Sequence, residues 1–134
     1  MRNEITMNTV LLTSGRVLLA LYFLLPGIMK FVSWDMHVAL MEKHQMLMVP
    51  VLLATAGVFQ IGAAIALILN RYTYVVSLLL AVLVLTINVN LHDFWNYSGV
   101  EGAHEMQNFV KNLGILAGLL VLAGHARMEL DRKG

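Results

Sequence analysis

The chain alternates between long apolar segments and short polar ones, and this pattern predicts its secondary structure. Four apolar runs lie at residues 8–31, 50–69, 73–92 and 106–124. An α-helix needs about 20 such residues to cross the hydrocarbon layer of a bilayer, and water-soluble domains rarely contain several consecutive runs of that length. The pattern therefore predicts an all-α integral membrane four-helix bundle, formed by a single domain of residues 1–134.

Residues 32–48, between the first two runs, are mixed in polarity. Within them, residues 35–44 form an amphipathic pattern that predicts a segment lying in the membrane interface, with one side formed by Met36, Ala39, Leu40 and Lys43. The same segment contains His37 and His44, which suggest a metal site. No carboxylate-histidine spacing of the di-iron type accompanies them, so we expect two solvated histidines and no metal.

Composition supports a membrane protein and excludes several function classes. Hydrophobic residues make up 59% of the chain and charged residues 13%, and the mean hydropathy is +0.75. The net charge of +1 and the lack of a basic cluster argue against nucleic-acid binding. Because the chain has no cysteine, disulfide exchange, Cys-ligated clusters and covalent haem attachment are excluded.

The distribution of basic residues predicts the orientation in the membrane. One side of the predicted bundle carries Arg2, Arg16, Arg71, Arg127, Arg132 and Lys133. The other side carries Lys30, Lys43 and Lys111. Since basic residues are enriched on the cytoplasmic side, we expect both termini to be cytoplasmic.

Candidate chemistry concentrates where the third apolar run ends. His92 and Asp93 stand there, and Phe94 and Trp95 follow them directly. The predicted topology brings this stretch to the same face as Lys30, Lys111 and Asn112. We therefore expect the imidazole, the carboxylate and the lysines to converge in one pocket at the periplasmic boundary. The aromatic pair also fits an ordinary belt at the membrane interface.

Two polar residues fall inside the predicted spans. Arg16 lies on one stripe of the first helix with Ala20, Phe23, Gly27 and Lys30, which we expect to face the bundle. Its charge either snorkels to the near interface or has a partner inside the bundle. Gln60 lies near the midplane of the second helix, at a depth that would allow a contact with Arg16, or it bridges helices through its amide.

Several short motifs occur in order along almost the whole chain: Gly27-x-x-Lys30, Gln60-x-Gly62, Arg71, His92-Asp93-Phe94-Trp95, Phe109-x-Lys111-Asn112-Leu113 and Leu130-Asp131-Arg132. In this order and spacing the chain resembles the DoxX family. The resemblance implies a multi-pass four-helix protein of the bacterial inner membrane. It also implies kinship with the small quinone-reducing subunit of thiosulfate:quinone oxidoreductases and with partners of redox-stress enzymes. Where this chain has Gln60 the family often has Glu, so an ion pair of that position with Arg16 would be absent here.

These observations leave three functions open. The first is a subunit acting on quinone with electrons from another membrane or soluble redox subunit. In it His92 and Asp93 would be catalytic, and the residues binding the quinone would be Arg16, Lys30, Gln60, Phe94, Trp95, Lys111 and Asn112. The second is a non-catalytic accessory or scaffold subunit, whose small-residue helix faces associate with other proteins or with further copies of the chain. The third is transport of a small or lipophilic molecule.

Overall fold

The computed structural model describes the backbone of residues 1–134 and every side chain except those at positions 2 and 5. Five α-helices form the chain: α1 (Arg2–Val32), α2 (Trp34–Lys43), α3 (Val49–Ile68), α4 (Thr73–Leu91) and α5 (Gly99–Lys133). A 3₁₀ turn, Phe94–Asn96, joins α4 to α5. All but α2 are long and apolar enough to cross a membrane, so the prediction of an all-α protein with four spans is confirmed.

Helices α1 and α3 pack against each other in antiparallel directions. The pairing is close because small residues on one helix face larger ones on the other. Methylene and ring atoms occupy the gaps: a Cβ on Gly57 would lie 2.6 Å from the Phe31 ring, and one on Gly27 would lie 3.0 Å from Ile61. Such approaches between helices are what small residues permit inside a membrane.

Helices α4 and α5 form the second antiparallel pair, and the two pairs meet in a core at mid-depth. The stripe predicted to face the bundle does so at its centre, where Ala20, Phe23 and Gly27 are all buried. Around them the core is formed by Ala63, Ala64, Leu67, Leu80, Ala81, Val84, Leu119 and Leu122. Side chains on the outer faces of the helices are largely apolar and exposed, as expected for surfaces that contact lipid.

The short helix α2 covers the end of the bundle opposite the termini. A helix forms where the sequence predicted an amphipathic segment; its location in the membrane interface stays a prediction. Met41 is buried with Val49 and Leu53 of α3, and Trp34 and Val38 pack against them. Of the side predicted from the sequence, Met36 and Leu40 are exposed and therefore point away from the bundle.

Helix α5 is longer at both ends than its apolar run, which covers residues 106–124. Ion pairs within the helix stabilise the charged C-terminal part, with Arg127 3.4 Å from Asp131 and Arg132 2.6 Å from Glu129. A hydropathy pattern detects only the part of a helix that crosses the hydrocarbon. Both termini lie at one end of the bundle; their cytoplasmic location stays a prediction, and the Arg2 side chain that it counts lies outside the described residues.

Candidate functional site

A cavity of about 610 Å³ lies between α1, α3, α4 and α5, toward the end of the bundle that α2 covers. We call it the lysine cavity. It extends about 12 Å along α4, at 1.5 Å per residue from Val84 to His92. Its apolar lining is formed by Phe23, Pro26, Val84, Ile87 and Ile115. Its polar lining is formed by Tyr22, Lys30, Gln60, His92, Asn108, Lys111 and Asn112.

Lys30 and Lys111 give the cavity its positive charge. Lys30 is the last basic residue of α1, and Lys111 lies on α5 across the cavity. Among the described side chains, neither ammonium has a carboxylate within ion-pair distance. An unpaired cation beside apolar walls is favourable only with water or an anion next to it. The cavity is therefore suited to a ligand with negative charge or exposed oxygen atoms.

His92 contributes an imidazole at the rim of the lysine cavity. The helix α4 ends at Leu91, and His92 is its C-cap residue. Its Nδ1 lies 2.8 Å from Glu105 Oε2 on α5, with both side chains mostly buried. A carboxylate hydrogen-bonded to one ring nitrogen fixes the orientation of the imidazole, so the ring is held in one position at the cavity.

Gln60 lies at the inner end of the cavity and is only 3% exposed. Its Nε2 donates a hydrogen bond of 2.8 Å to the carbonyl oxygen of Phe23, which fixes the orientation of the amide. The remaining Oε1 is buried without a hydrogen-bond donor among the described residues. A buried acceptor left unpaired is costly, and here it is available to a hydroxyl or N–H group of a ligand.

Asn112 belongs to a chain of hydrogen bonds that crosses three helices. The Tyr22 hydroxyl donates to Asn112 Oδ1 at 2.9 Å, and Asn112 Nδ2 donates to Asn88 Oδ1, also at 2.9 Å. Asn88 Nδ2 in turn donates to the carbonyl oxygen of Phe109 at 3.1 Å. Amide networks of this kind hold membrane helices together. Asn112 is thus a rigid part of the cavity wall.

Asp93 lies outside the lysine cavity, although it directly follows His92. It accepts a hydrogen bond of 2.7 Å from Asn96 Nδ2, and its Oδ1 lies 2.9 Å from Nδ1 of His44. The contact with His44 is short, but the ring is not aligned for a hydrogen bond. The His44 side chain is 2% exposed, so the expectation of a solvated histidine there is wrong. This contact ties the segment after α2 to the end of α4.

Phe94 and Trp95 also lie apart from the cavity lining. Their ring centroids are 5.3 Å apart, and each ring packs edge-on against Phe109 of α5, at 5.4 Å and 6.2 Å. Trp95 is 55% exposed. The rings therefore form an aromatic cluster at the surface, a position that suits the membrane interface.

Arg16 belongs to the opposite end of the bundle. Its Nε donates a hydrogen bond of 2.8 Å to the carbonyl oxygen of Leu67, in the last turn of α3. Arg16 and Gln60 each bond to the main chain of the opposite helix, so the side-chain contact considered from the sequence is not formed. Phe23 is seven residues beyond Arg16, which separates the two levels by about 10 Å.

Two residues of the site were missed in the sequence. Glu105 lies directly before residue 106, where the fourth apolar run begins, and so falls outside the predicted helix, yet Glu105, Asn108 and Asn112 follow one another at helical spacings of three and four. Tyr22 shares a spacing of four with Pro26 and Lys30. Glu105 and Tyr22 therefore each lie on the same helix face as other residues of the cavity, and this spacing was visible in the sequence. The described residues contain no group of three or more His, Asp or Glu that could hold a metal ion.

Comparisons with known proteins agree with this architecture. A family model described as DoxX matches residues 11–93, which begin within α1, include α2 to α4 and end at Asp93. The inner membrane protein YphA of Escherichia coli (strain K12) is 30% identical over 126 residues, covering 92% of this chain and 90% of that protein. No solved structure matches the chain.

Proposed function

Since the chain belongs to the DoxX family and is a multi-pass protein of the inner membrane, we propose that it is a small subunit of a membrane redox system that binds quinone. The headgroup of the quinone would occupy the lysine cavity. The single observation that supports this most is the composition of one cavity: a carboxylate-bound imidazole together with two lysines and a buried acceptor that have no partner among the described side chains.

A quinone takes up two electrons and two protons and becomes a quinol with two hydroxyl groups. Lys30 and Lys111 would donate hydrogen bonds to an oxygen atom of the headgroup and stabilise negative charge that develops on it. His92 would transfer a proton to a quinone oxygen and be reprotonated from water, which its partly exposed side chain can reach, while Glu105 would keep the ring oriented. A second cycle of the same kind would supply the second proton. Gln60 Oε1, which accepts but does not titrate, would favour the hydroxyl of the reduced form.

The cavity is open to the bilayer, which is the source of a lipophilic ligand. Tyr22, Pro26 and Lys111 line it and are also exposed on the outer surface of the bundle. The opening lies between α1 and α5. A headgroup could therefore enter from the hydrocarbon while its apolar tail stays in lipid. The volume of the cavity, about 610 Å³, falls within the several hundred Å³ that are typical of small-molecule sites.

Electrons would come from a partner. The chain has no cysteine to ligate an iron–sulfur cluster or to act as a redox thiol. The partner would be a soluble or membrane redox subunit that docks near the face containing α2 and the turn after α4. That partner supplies both electrons, and His92 with its neighbouring carboxylate delivers protons.

A non-catalytic accessory role is the second candidate, and one observation favours it. The polar contacts at this end of the bundle join separate elements: Asp93 with His44, Lys43 with Glu101 and the amide chain from Tyr22 to Phe109. Such contacts stabilise a fold without any chemistry. In this case the lysine cavity would serve assembly, and no quinone would be bound.

Extraction of bound quinone separates the two candidates. The full chain is purified from bacterial membranes in a mild detergent, and quinone in an organic extract is quantified per protein. We expect near-stoichiometric quinone in the wild type, loss in His92→Ala and retention in His104→Ala, an exposed histidine outside the cavity. Equal quinone in the two variants, or no more than in an unrelated membrane protein, would support the accessory role.

A further inference from the structure

A second cavity lies at the end of the bundle that contains both termini, remote from the lysine cavity. We call it the terminal-end cavity. Its volume is about 860 Å³, and it is bounded by the first half of α1, the turn between α3 and α4, and the last part of α5. Nothing in the proposed quinone function uses it.

Arg16 is the most restrained cation in this cavity. The hydrogen bond from its Nε to the Leu67 carbonyl adds to the one that this oxygen accepts from the Asn70 N–H at 3.1 Å. It lies at the C-terminal end of α3, where the helix dipole favours a positive charge. The bond fixes the plane of the guanidinium. Its two Nη groups have no acceptor among the described residues, and they are available to a ligand in the cavity.

The lining of the terminal-end cavity is positively charged. Besides Arg16, it includes Arg132 and Lys133, whereas Glu129 is its single carboxylate among the described side chains. Glu129 already accepts a hydrogen bond of 2.6 Å from Arg132. Hydroxyl and amide groups of Thr13 and Asn70 add further donors. The site therefore offers an excess of donors and positive charge to an anion.

The depth of Arg16 in the membrane corresponds to that of the lipid headgroups. Helix α3 has 20 residues, about 30 Å at 1.5 Å per residue, which equals the thickness of the hydrocarbon layer. Arg16 bonds to its last turn and so lies at the membrane boundary. Apolar side chains of Leu12, Val75 and Leu122 line the same cavity, next to the donors.

From this arrangement we infer that the terminal-end cavity binds a phosphate-bearing anion, with the phosphate on the Nη groups of Arg16. An anionic phospholipid of the adjacent leaflet fits best, because apolar side chains lie beside the donors where acyl chains would begin. A soluble phosphate ester presents the same charged group without the chains.

Native mass spectrometry of the full chain in detergent tests this inference. The protein is titrated with phosphatidylglycerol or with phosphatidylcholine of identical acyl chains, and bound lipid is counted. We expect phosphatidylglycerol to bind about tenfold more tightly, as one bidentate charge-assisted contact provides. Arg16→Gln should abolish the preference. Arg71→Gln, which removes an exposed cation at the same end but outside the lining, should keep it.

A second variant tests the inference independently in case Arg16→Gln fails to fold. Arg132→Gln combined with Lys133→Gln leaves the contact to α3 intact and should reduce the preference several-fold. Equal binding of the two lipids by the wild type, or a preference that survives both variants, would overturn the inference. Glycerol phosphate distinguishes the sources: its displacement of the lipid at equal concentration identifies a soluble phosphate ester as the ligand, and its failure to do so identifies the lipid.

Discussion

The imidazole of His92 lies 2.8 Å from the carboxylate of Glu105, and this contact joins the end of α4 to the first turns of α5. It also forms the rim of the lysine cavity. We expect the two side chains to be energetically coupled by about 1 kcal/mol, as for a mostly buried hydrogen bond. A double-mutant cycle of His92→Ala and Glu105→Ala, measured by unfolding, checks this. Additive effects, as expected for Glu105→Ala with the distant His125→Ala, would show that the contact contributes nothing.

Substitution of Gln60 is expected to affect the stability of the protein and its quinone binding in different ways. Gln60→Leu removes one hydrogen bond to Phe23 and also one unpaired buried acceptor, contributions of about 1 kcal/mol and about 1–3 kcal/mol with opposite sign. We therefore expect a Tm that is unchanged or raised, together with weaker quinone binding. Gln60→Glu places a carboxylate next to the Phe23 carbonyl and should lower Tm. A lowered Tm in Gln60→Leu would mean that Oε1 is already satisfied in the protein.

Close packing of α1 on α3 predicts opposite effects at two glycines of α3. A Cβ at Gly57 would meet the Phe31 ring at 2.6 Å, whereas a Cβ at Gly62 would have nothing within 4 Å. We expect Gly57→Ala to destabilise the protein by about 1–3 kcal/mol. Gly62→Ala should be neutral or stabilising, since alanine favours the helix by up to about 1 kcal/mol. Unfolding of both variants measures this, and equal effects would contradict the register of the two helices.

Lys43 predicts an alkaline loss of stability at the α2 end of the bundle. The hydrogen bond from its ammonium to Glu101, and the charge of that carboxylate, raise the pKa of Lys43. Because the folded pKa lies above the unfolded value of about 10.4, the stabilisation is complete below that value and disappears as the pH rises through the raised one. The stability difference between the wild type and Lys43→Gln should therefore shrink to zero at alkaline pH. A difference that stays constant would show that the ion pair is not formed.

The spans were predictable from the sequence because the bilayer imposes a length on apolar helices, and α3 and α4, with 20 and 19 residues, follow that length closely. Helix α1 begins at Arg2, six residues before its apolar run. Helix α5 exceeds its own apolar run at both ends. Its charged C-terminal part is stabilised by contacts between neighbouring turns, such as Arg127 with Asp131. A hydropathy pattern does not detect such contacts. Because the fourth helix was predicted to begin at residue 106, Glu105 fell outside it, and its contact with His92 was not predicted.

The site could be predicted in part. The predicted spans suggested that Lys30, His92 and Lys111 would share one face, and all three line the cavity. Asp93 was expected beside them because it follows His92 in the chain. The helix ends at Leu91, and His92 has φ −120° and ψ 42°, so consecutive side chains no longer follow helical directions. Asp93 consequently contacts His44, whose position depends on α2 and was not accessible from local sequence.

The central claim is that the lysine cavity binds the headgroup of a quinone. Its most direct test is equilibrium binding of a short-tailed quinone to the full chain in lipid nanodiscs, comparing the wild type with the double variant Lys30→Gln, Lys111→Gln. Lys43→Gln, an exposed lysine at the same end of the bundle but outside the cavity, is the matched control. We expect the double variant to bind at least about tenfold more weakly and the control to bind like the wild type. Equal affinity of all three proteins would contradict the claim.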